Sequence, residues 1–183
     1  MAPEMTTTEG AILAVVRFAA HKHRDQRRKD VAASPYINHP IELARALAFE
    51  GGIADPVVLC AALLHDTIED TETRAQELAA LFGPKVTSVV LELTDDKSLE
   101  KQVRKDLQVE HAPHISGEAK LVKLADKICN LRDILTSPPA EWSLERKQAY
   151  FDWAARVIDG VRGIHPGLEA VFDGLLARHA ELS

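Results

Sequence analysis

DPVVLCAALLHDTIEDT, residues 55–71, reads as a helix with a marked start and an apolar body. Asp55 offers a side-chain oxygen to the first free backbone N–H groups, and Pro56 at the first helical position has the required φ and no N–H to lose. Eight apolar residues follow, Val57 to Leu64. A helix apolar on every side is buried, so the polar pair His65-Asp66 enters the interior of the fold. Glu69 and Asp70 stand four residues beyond that pair, and a single helix over 57–70 would bring all four polar groups to one flank. An unpaired buried carboxylate costs several kcal/mol or stays protonated, and a divalent cation is one means of compensating it.

Outward from this segment the chain shows helical periodicity and start signals throughout, with no sustained apolar/polar alternation between hairpin turns. Thr6-x-x-Glu9 is a capping box for a helix through residues 11–26, and Asn38-His39-Pro40 opens a helix that Gly51 stops. Thr73-x-x-Gln76 begins a short helix ended at Gly83, Pro84 begins another to residue 93, and Ser98 opens a charged one through residues 101–110. Leu121, Leu124, Ala125, Ile128, Leu131 and Leu135 share helical spacing across 118–135, and helices from Ser143 to about Val161 and over 166–182 complete the chain. The expected fold is all-α, one compact bundle of about eight to nine helices spanning residues 1–183.

Length and composition agree. A chain of 183 residues with 46% hydrophobic and 27% charged residues is globular rather than fibrous or disordered, and at this size about 70% of the unfolded surface is buried. Cys60 and Cys129 lie in separate apolar stretches and read as core thiols. With no leader-like start and no long uncharged apolar run, a soluble cytoplasmic protein is expected. The net charge of −6 works against nucleic acid and anionic membranes as partners. Two basic islands, HKHRDQRRK at 21–29 and Lys97, Lys101, Arg104 and Lys105, suit a compact polyanion, although such runs taken alone are more often solvated helix faces.

A second carboxylate interrupts an apolar helix at Asp126 in KLVKLADKICNL, with Lys123 one turn before it and Asn130 one turn after. His39 beside Pro40 has restricted backbone freedom and supplies a further nitrogen. His39, His65, Asp66 and Asp126 together form a two-nitrogen, two-oxygen set suited to Mn²⁺, Fe²⁺ or Zn²⁺. Taken singly, each has an ordinary structural use: His39 as a packing residue, Asp126 in an ion pair with Lys123 or Lys127. The remaining histidines, His21 and His23 included, have no assigned role, and Trp142 and Trp153 read as core or subunit contacts.

The order His39, His65-Asp66, Asp126 resembles the HD-domain metal-dependent phosphohydrolases. PYINHPIELA (35–44), AALLHDTIEDT (61–71), LTDDK (93–97) and KLVKLADKICNLRDI (120–134) narrow the resemblance to the hydrolase domain of RelA/SpoT homologues, over about residues 10–160. QRRKD (26–30) and HAPHISGEAKLVKLADK (111–127) bring it closest to stand-alone small alarmone hydrolases of the metazoan SpoT-homologue type. The resemblance implies metal ligation by His39, His65, Asp66 and Asp126, with one Mn²⁺ per subunit the usual ion. It gives Glu69 and Asp70 the handling of the attacking water, and Arg28, Lys29, Lys101, Asn130 and Tyr150 contacts to the nucleotide. The implied activity is hydrolysis of guanosine tetra- or pentaphosphate at the 3′-diphosphate, giving GDP or GTP and pyrophosphate. Two alternatives stay open: the same chemistry on NADPH or deoxynucleotides, and a nonenzymatic nucleotide-binding module. Homo-oligomerisation is also left open.

Overall fold

A computed structural model of the protein describes residues 7–182. Ten α-helices follow in order: α1 (Thr8–Lys22), α2 (Asn38–Arg45), α3 (Pro56–Leu64), α4 (Thr67–Asp70), α5 (Ala75–Phe82), α6 (Pro84–Leu93), α7 (Lys101–His111), α8 (Gly117–Thr136), α9 (Leu144–Asp159) and α10 (Pro166–Leu176). Nine of these have eight residues or more, and α4 is a single turn. Among the described residues there is no strand, only one isolated bridge between Arg27 and Pro35.

The starts follow local chemistry. Asp55 caps α3 by accepting from Val57 N–H at 2.8 Å, Ser116 caps α8 and Ser143 caps α9. Thr6 lies outside the described residues, and Thr7 caps α1 by accepting from Gly10 N–H at 3.1 Å. The Thr73 box is not used, since α5 begins after Arg74 without a side-chain cap. Ser98 likewise gives way to Glu100 before α7. Gly83, with φ of 87°, turns the chain between α5 and α6 in the left-handed region that glycine tolerates. After α2 the chain widens into a π-turn, Ala46–Glu50, which Gly51 closes by donating its N–H to Ala46 at 3.1 Å.

α3 is the axis of the fold. Val58 through Leu64 are all buried, and α1, α2, α6 and α8 pack around them. One contiguous cluster of buried apolar side chains runs from Val15 to Leu175. Cys60 and Cys129 are buried free thiols within it.

Three helices are shorter than their sequences suggest, α10 among them, which stops at Leu176 where a helix to 182 is expected and passes into a 3₁₀ turn over Ala177–Glu181. α1 stops at Lys22 rather than Gln26, and the helix expected over 57–70 breaks at His65-Asp66. At the break, His65 Nδ1–H donates to Ala62 carbonyl at 2.8 Å and Thr67 Oγ1 donates to Leu64 carbonyl at 2.6 Å. These side chains satisfy carbonyls that a continuing helix would have used, and Asp66 takes φ −100° and ψ −1°.

Candidate metal centre and active site

The break places His65 and Asp66 at the mouth of the buried helix, facing α2 and α8. His39 is fixed in the first turn of α2 and Asp126 in the middle of α8. Ligand atoms of His39, His65 and Asp126 lie within 4.8 Å of one another. Donor atoms about 2.1 Å from one ion are at most about 4.2 Å apart, so the side chains need close by only about half an ångström to share one small cation. Asp66 joins the group through Oδ2, 2.9 Å from His65 Nε2.

The donor chemistry fits a metal. Because His65 Nδ1–H is committed to the Ala62 carbonyl, Nε2 is the nitrogen left to hold a proton or a cation, and it faces the Asp66 carboxylate. A lone pair and a carboxylate at this distance need positive charge between them, supplied by a proton or a cation. Burial lowers the His65 pKa, but Asp66, its hydrogen bond and Asp126 outweigh that and raise it to about 9. Asp126 is held well below the usual carboxylate range despite burial, by Lys127 first and then His39 and His65. Its Oδ1 accepts from Asn130 Nδ2 at 2.7 Å and lies 3.2 Å from His39 Nε2, and its Oδ2 accepts from Lys127 Nζ at 2.8 Å.

A cavity of about 510 Å³ opens over this group. Glu69 and Asp70 line it together with all four candidate ligands. Glu69 accepts from Asp95 N–H at 3.1 Å and lies 3.8 Å from Arg104. Burial pushes its carboxyl up to about 7, with the negative charges of Asp66, Asp95 and Asp70 acting in the same direction. Asp70 accepts from Gln26 Nε2 at 2.9 Å and pairs with Lys97. Lys123 reaches the same cavity from α8, and burial lowers its ammonium to about 8. It is Lys127 rather than Lys123 that pairs with Asp126.

Of the five residues expected to contact nucleotide, four line this cavity: Arg28, Lys29, Asn130 and Tyr150. Arg28 also pairs with Asp133 at 2.5 Å, and Asn130 orients Asp126. Lys101 is not in that wall. It lines an adjoining cavity of about 300 Å³ with Arg104, Lys105 and Arg146, and Lys29, Trp142 and Tyr150 border both spaces. Burial and the neighbouring cations lower the pKa of both Lys101 and Lys105. The composition of the basic islands pointed to Lys101, Arg104 and Lys105. Arg146 was not foreseen, nor was Trp142 as a wall of the site, where the Arg146 guanidinium lies 4.4 Å above its ring. His23, given no role from the sequence, is buried against Gln26, which lines the cavity.

Comparison with known proteins bears on this geometry. The family model for the HD domain matches residues 15–156. A Xenopus tropicalis protein named guanosine-3′,5′-bis(diphosphate) 3′-pyrophosphohydrolase MESH1 is 54% identical over 92% of this chain and 94% of its own length. The Homo sapiens protein of the same name is 55% identical over 90% of this chain and 92% of its own. A solved structure described as a metazoan ortholog of SpoT that hydrolyzes ppGpp superposes with a TM-score of 0.90 at 47% identity, covering 94% of this chain and 97% of that one. The helical architecture, the convergence of histidines and aspartates from α2, the α3–α4 break and α8, and these matches lead to one assignment: the chain belongs to the HD-domain family.

Proposed function

We propose that the chain hydrolyses guanosine 3′,5′-bis(diphosphate), and the pentaphosphate relative, at the bond between the ribose 3′-oxygen and its phosphorus. The products are GDP or GTP and pyrophosphate. What carries this reading is the joining of a three-residue donor group, with Asp66 beside it, to two flanking acids and a cation-lined annex, in a chain that matches relatives named for this reaction over nearly their whole length.

His39, His65, Asp66 and Asp126 would hold the divalent ion, proposed to be Mn²⁺. When bound, such an ion supplies Lewis acidity, which favours ionised water at neutral pH and withdraws charge from phosphoryl oxygens. The protein does the rest. Lys127 and Asn130 hold the Asp126 carboxylate in place, so its geometry precedes ligand binding. Glu69 carries a carboxyl whose pKa near neutrality suits accepting the proton of the attacking water, and Asp70 orients that water from the next residue. Arg28 and Lys29 neutralise the 3′-diphosphate or its pyrophosphate product. Lys101, Lys105 and Arg146 offer the adjoining cavity to the remaining phosphates. Tyr150 and Trp142 provide flat walls for the base or ribose between the two.

The test is pyrophosphate release from guanosine tetraphosphate with Mn²⁺, run beside NADPH and deoxynucleoside triphosphates. Release from the guanosine substrate alone or at the greatest kcat/KM is expected. Phosphate release from NADPH with an inert guanosine substrate would move the assignment to the other phosphorylated ribose, and binding without turnover of any of them would leave a nucleotide-binding module.

A further inference from the structure

The segment that links α1 to α2 folds back on itself. Arg28 N–H donates to Ser34 carbonyl at 2.9 Å and Tyr36 N–H to Gln26 carbonyl at 3.1 Å, so residues remote from the donor group are brought behind it. His23 is buried there, 2% exposed, and its ring lies 4.9 Å from that of Tyr36. His23 Nδ1–H donates to Gln26 Oε1 at 2.6 Å. With its oxygen thus occupied, the Gln26 amide must present its nitrogen to Asp70, where it donates to Oδ2 at 2.9 Å. Tyr36 in turn donates its hydroxyl to Asp66 Oδ2. Two carboxylates with different duties are therefore held from one partly buried cluster.

We propose that His23, Gln26 and Tyr36 act as positioning residues, Gln26 fixing the Asp70 carboxylate and Tyr36 the Asp66 carboxylate, with His23 setting the orientation of the Gln26 amide. The proposal rests on the roles given above to Asp66 and Asp70. Partners of this kind around a donor group are worth about 10- to 100-fold in metal affinity or activity. The two branches have separable effects, because Asp66 belongs to the ion and Asp70 to the water.

Metal-free protein is titrated with Mn²⁺ alone, read by electron paramagnetic resonance of the free ion, and steady-state kinetics with guanosine tetraphosphate follow at saturating Mn²⁺. Tyr36→Phe, which removes one oxygen and keeps the ring, is expected to weaken Mn²⁺ binding about 10-fold or more. Gln26→Met is expected to lower kcat about 10-fold while KM and Mn²⁺ affinity stay near wild type. His23→Leu should reproduce the Gln26→Met kinetics, and His23→Asn, which keeps an N–H donor near Nδ1, should restore kcat. Wild-type Mn²⁺ affinity in Tyr36→Phe, or wild-type kcat in Gln26→Met, overturns the proposal. So does a parallel fall of kcat, Mn²⁺ affinity and thermal stability in all variants, which marks a purely structural cluster. Should Tyr36→Phe fail to fold, the His23→Leu and His23→Asn pair decides it, equal kcat in the two being contrary. Absence of turnover in the wild type would sink the functional reading alone, since the Mn²⁺ titration still reports on Tyr36.

Discussion

Asp66 and Asp126 illustrate how burial and charge divide one task. Each is surrounded by donors that stabilise its ionised form, so each is ready to ligate without first losing a proton. Replacing either by Ala removes a ligand and leaves the apolar core packing in place, and Asp126→Ala also strips the buried Lys127 of its partner. Asp66→Ala and Asp126→Ala are expected to retain helical circular dichroism and to turn over at less than about a tenth of the wild-type rate, the scale of loss for such ligands and their partners. A tenth or more of the rate in either variant removes that residue from the donor set. Glu69 differs in sign. Its raised pKa means that the carboxylate, the form able to accept a proton, accumulates as pH rises through about 7 in the metal-free chain. A cation bound nearby favours the carboxylate and moves that limb down, toward the ordinary 4.5. The pH profile of kcat/KM should therefore rise along an acid limb centred between these two values, and Glu69→Gln should abolish the limb along with about 10²-fold or more of the rate. A Glu69→Gln enzyme that keeps both would assign the proton transfer elsewhere.

α3 carries the argument at the scale of elements. Leu64, fully buried at its last turn, sits between the core and the donor group. Leu64→Ala is expected to cost about 2–5 kcal/mol in urea unfolding, and a cost under about 1 would mean that the core collapses into the space. Asp55→Ala, losing the cap, should cost only about 0.5–2 kcal/mol. The α3 start was legible because a cap and a proline act within four residues. The break at His65-Asp66 was not, because it depends on which way the His65 ring and the Thr67 hydroxyl turn, and the sequence period continues through it. The π-turn after α2 was hidden for the same reason, and it adds a residue without changing the apolar pattern. In the site, His65, Asp66 and Asp126 stood out as polar interruptions of apolar helices, and His39 by its place beside Pro40 at a helix start. Gln26, Tyr36 and Arg146 did not, since their positions follow from a loop folding back and from α9 crossing α7, which no local spacing encodes.

Across the whole molecule, a net charge of −6 coexists with a cluster of cations at the annex. That cluster draws a polyanion toward the site, and salt should weaken the attraction. Lys101→Ala is expected to raise KM for guanosine tetraphosphate several-fold and to flatten its rise between low and physiological salt, with kcat little changed; a fall in kcat at constant KM would place Lys101 in the chemistry instead. Three distant stretches of chain supply the proposed donors, so a bound ion would tie α2, the α3–α4 break and α8 together and stabilise the fold by about 2.7 kcal/mol at a hundred times its dissociation constant. Thermal melts should rise with Mn²⁺ and fall back on adding chelator, whereas a melting temperature indifferent to both would mean that no such tie exists. The most direct measurement is anomalous scattering from crystals grown with Mn²⁺. One manganese peak per chain, bonded to His39, His65, Asp66 and Asp126, is the predicted result, and a peak elsewhere, or those four side chains turned away from it, would contradict the account.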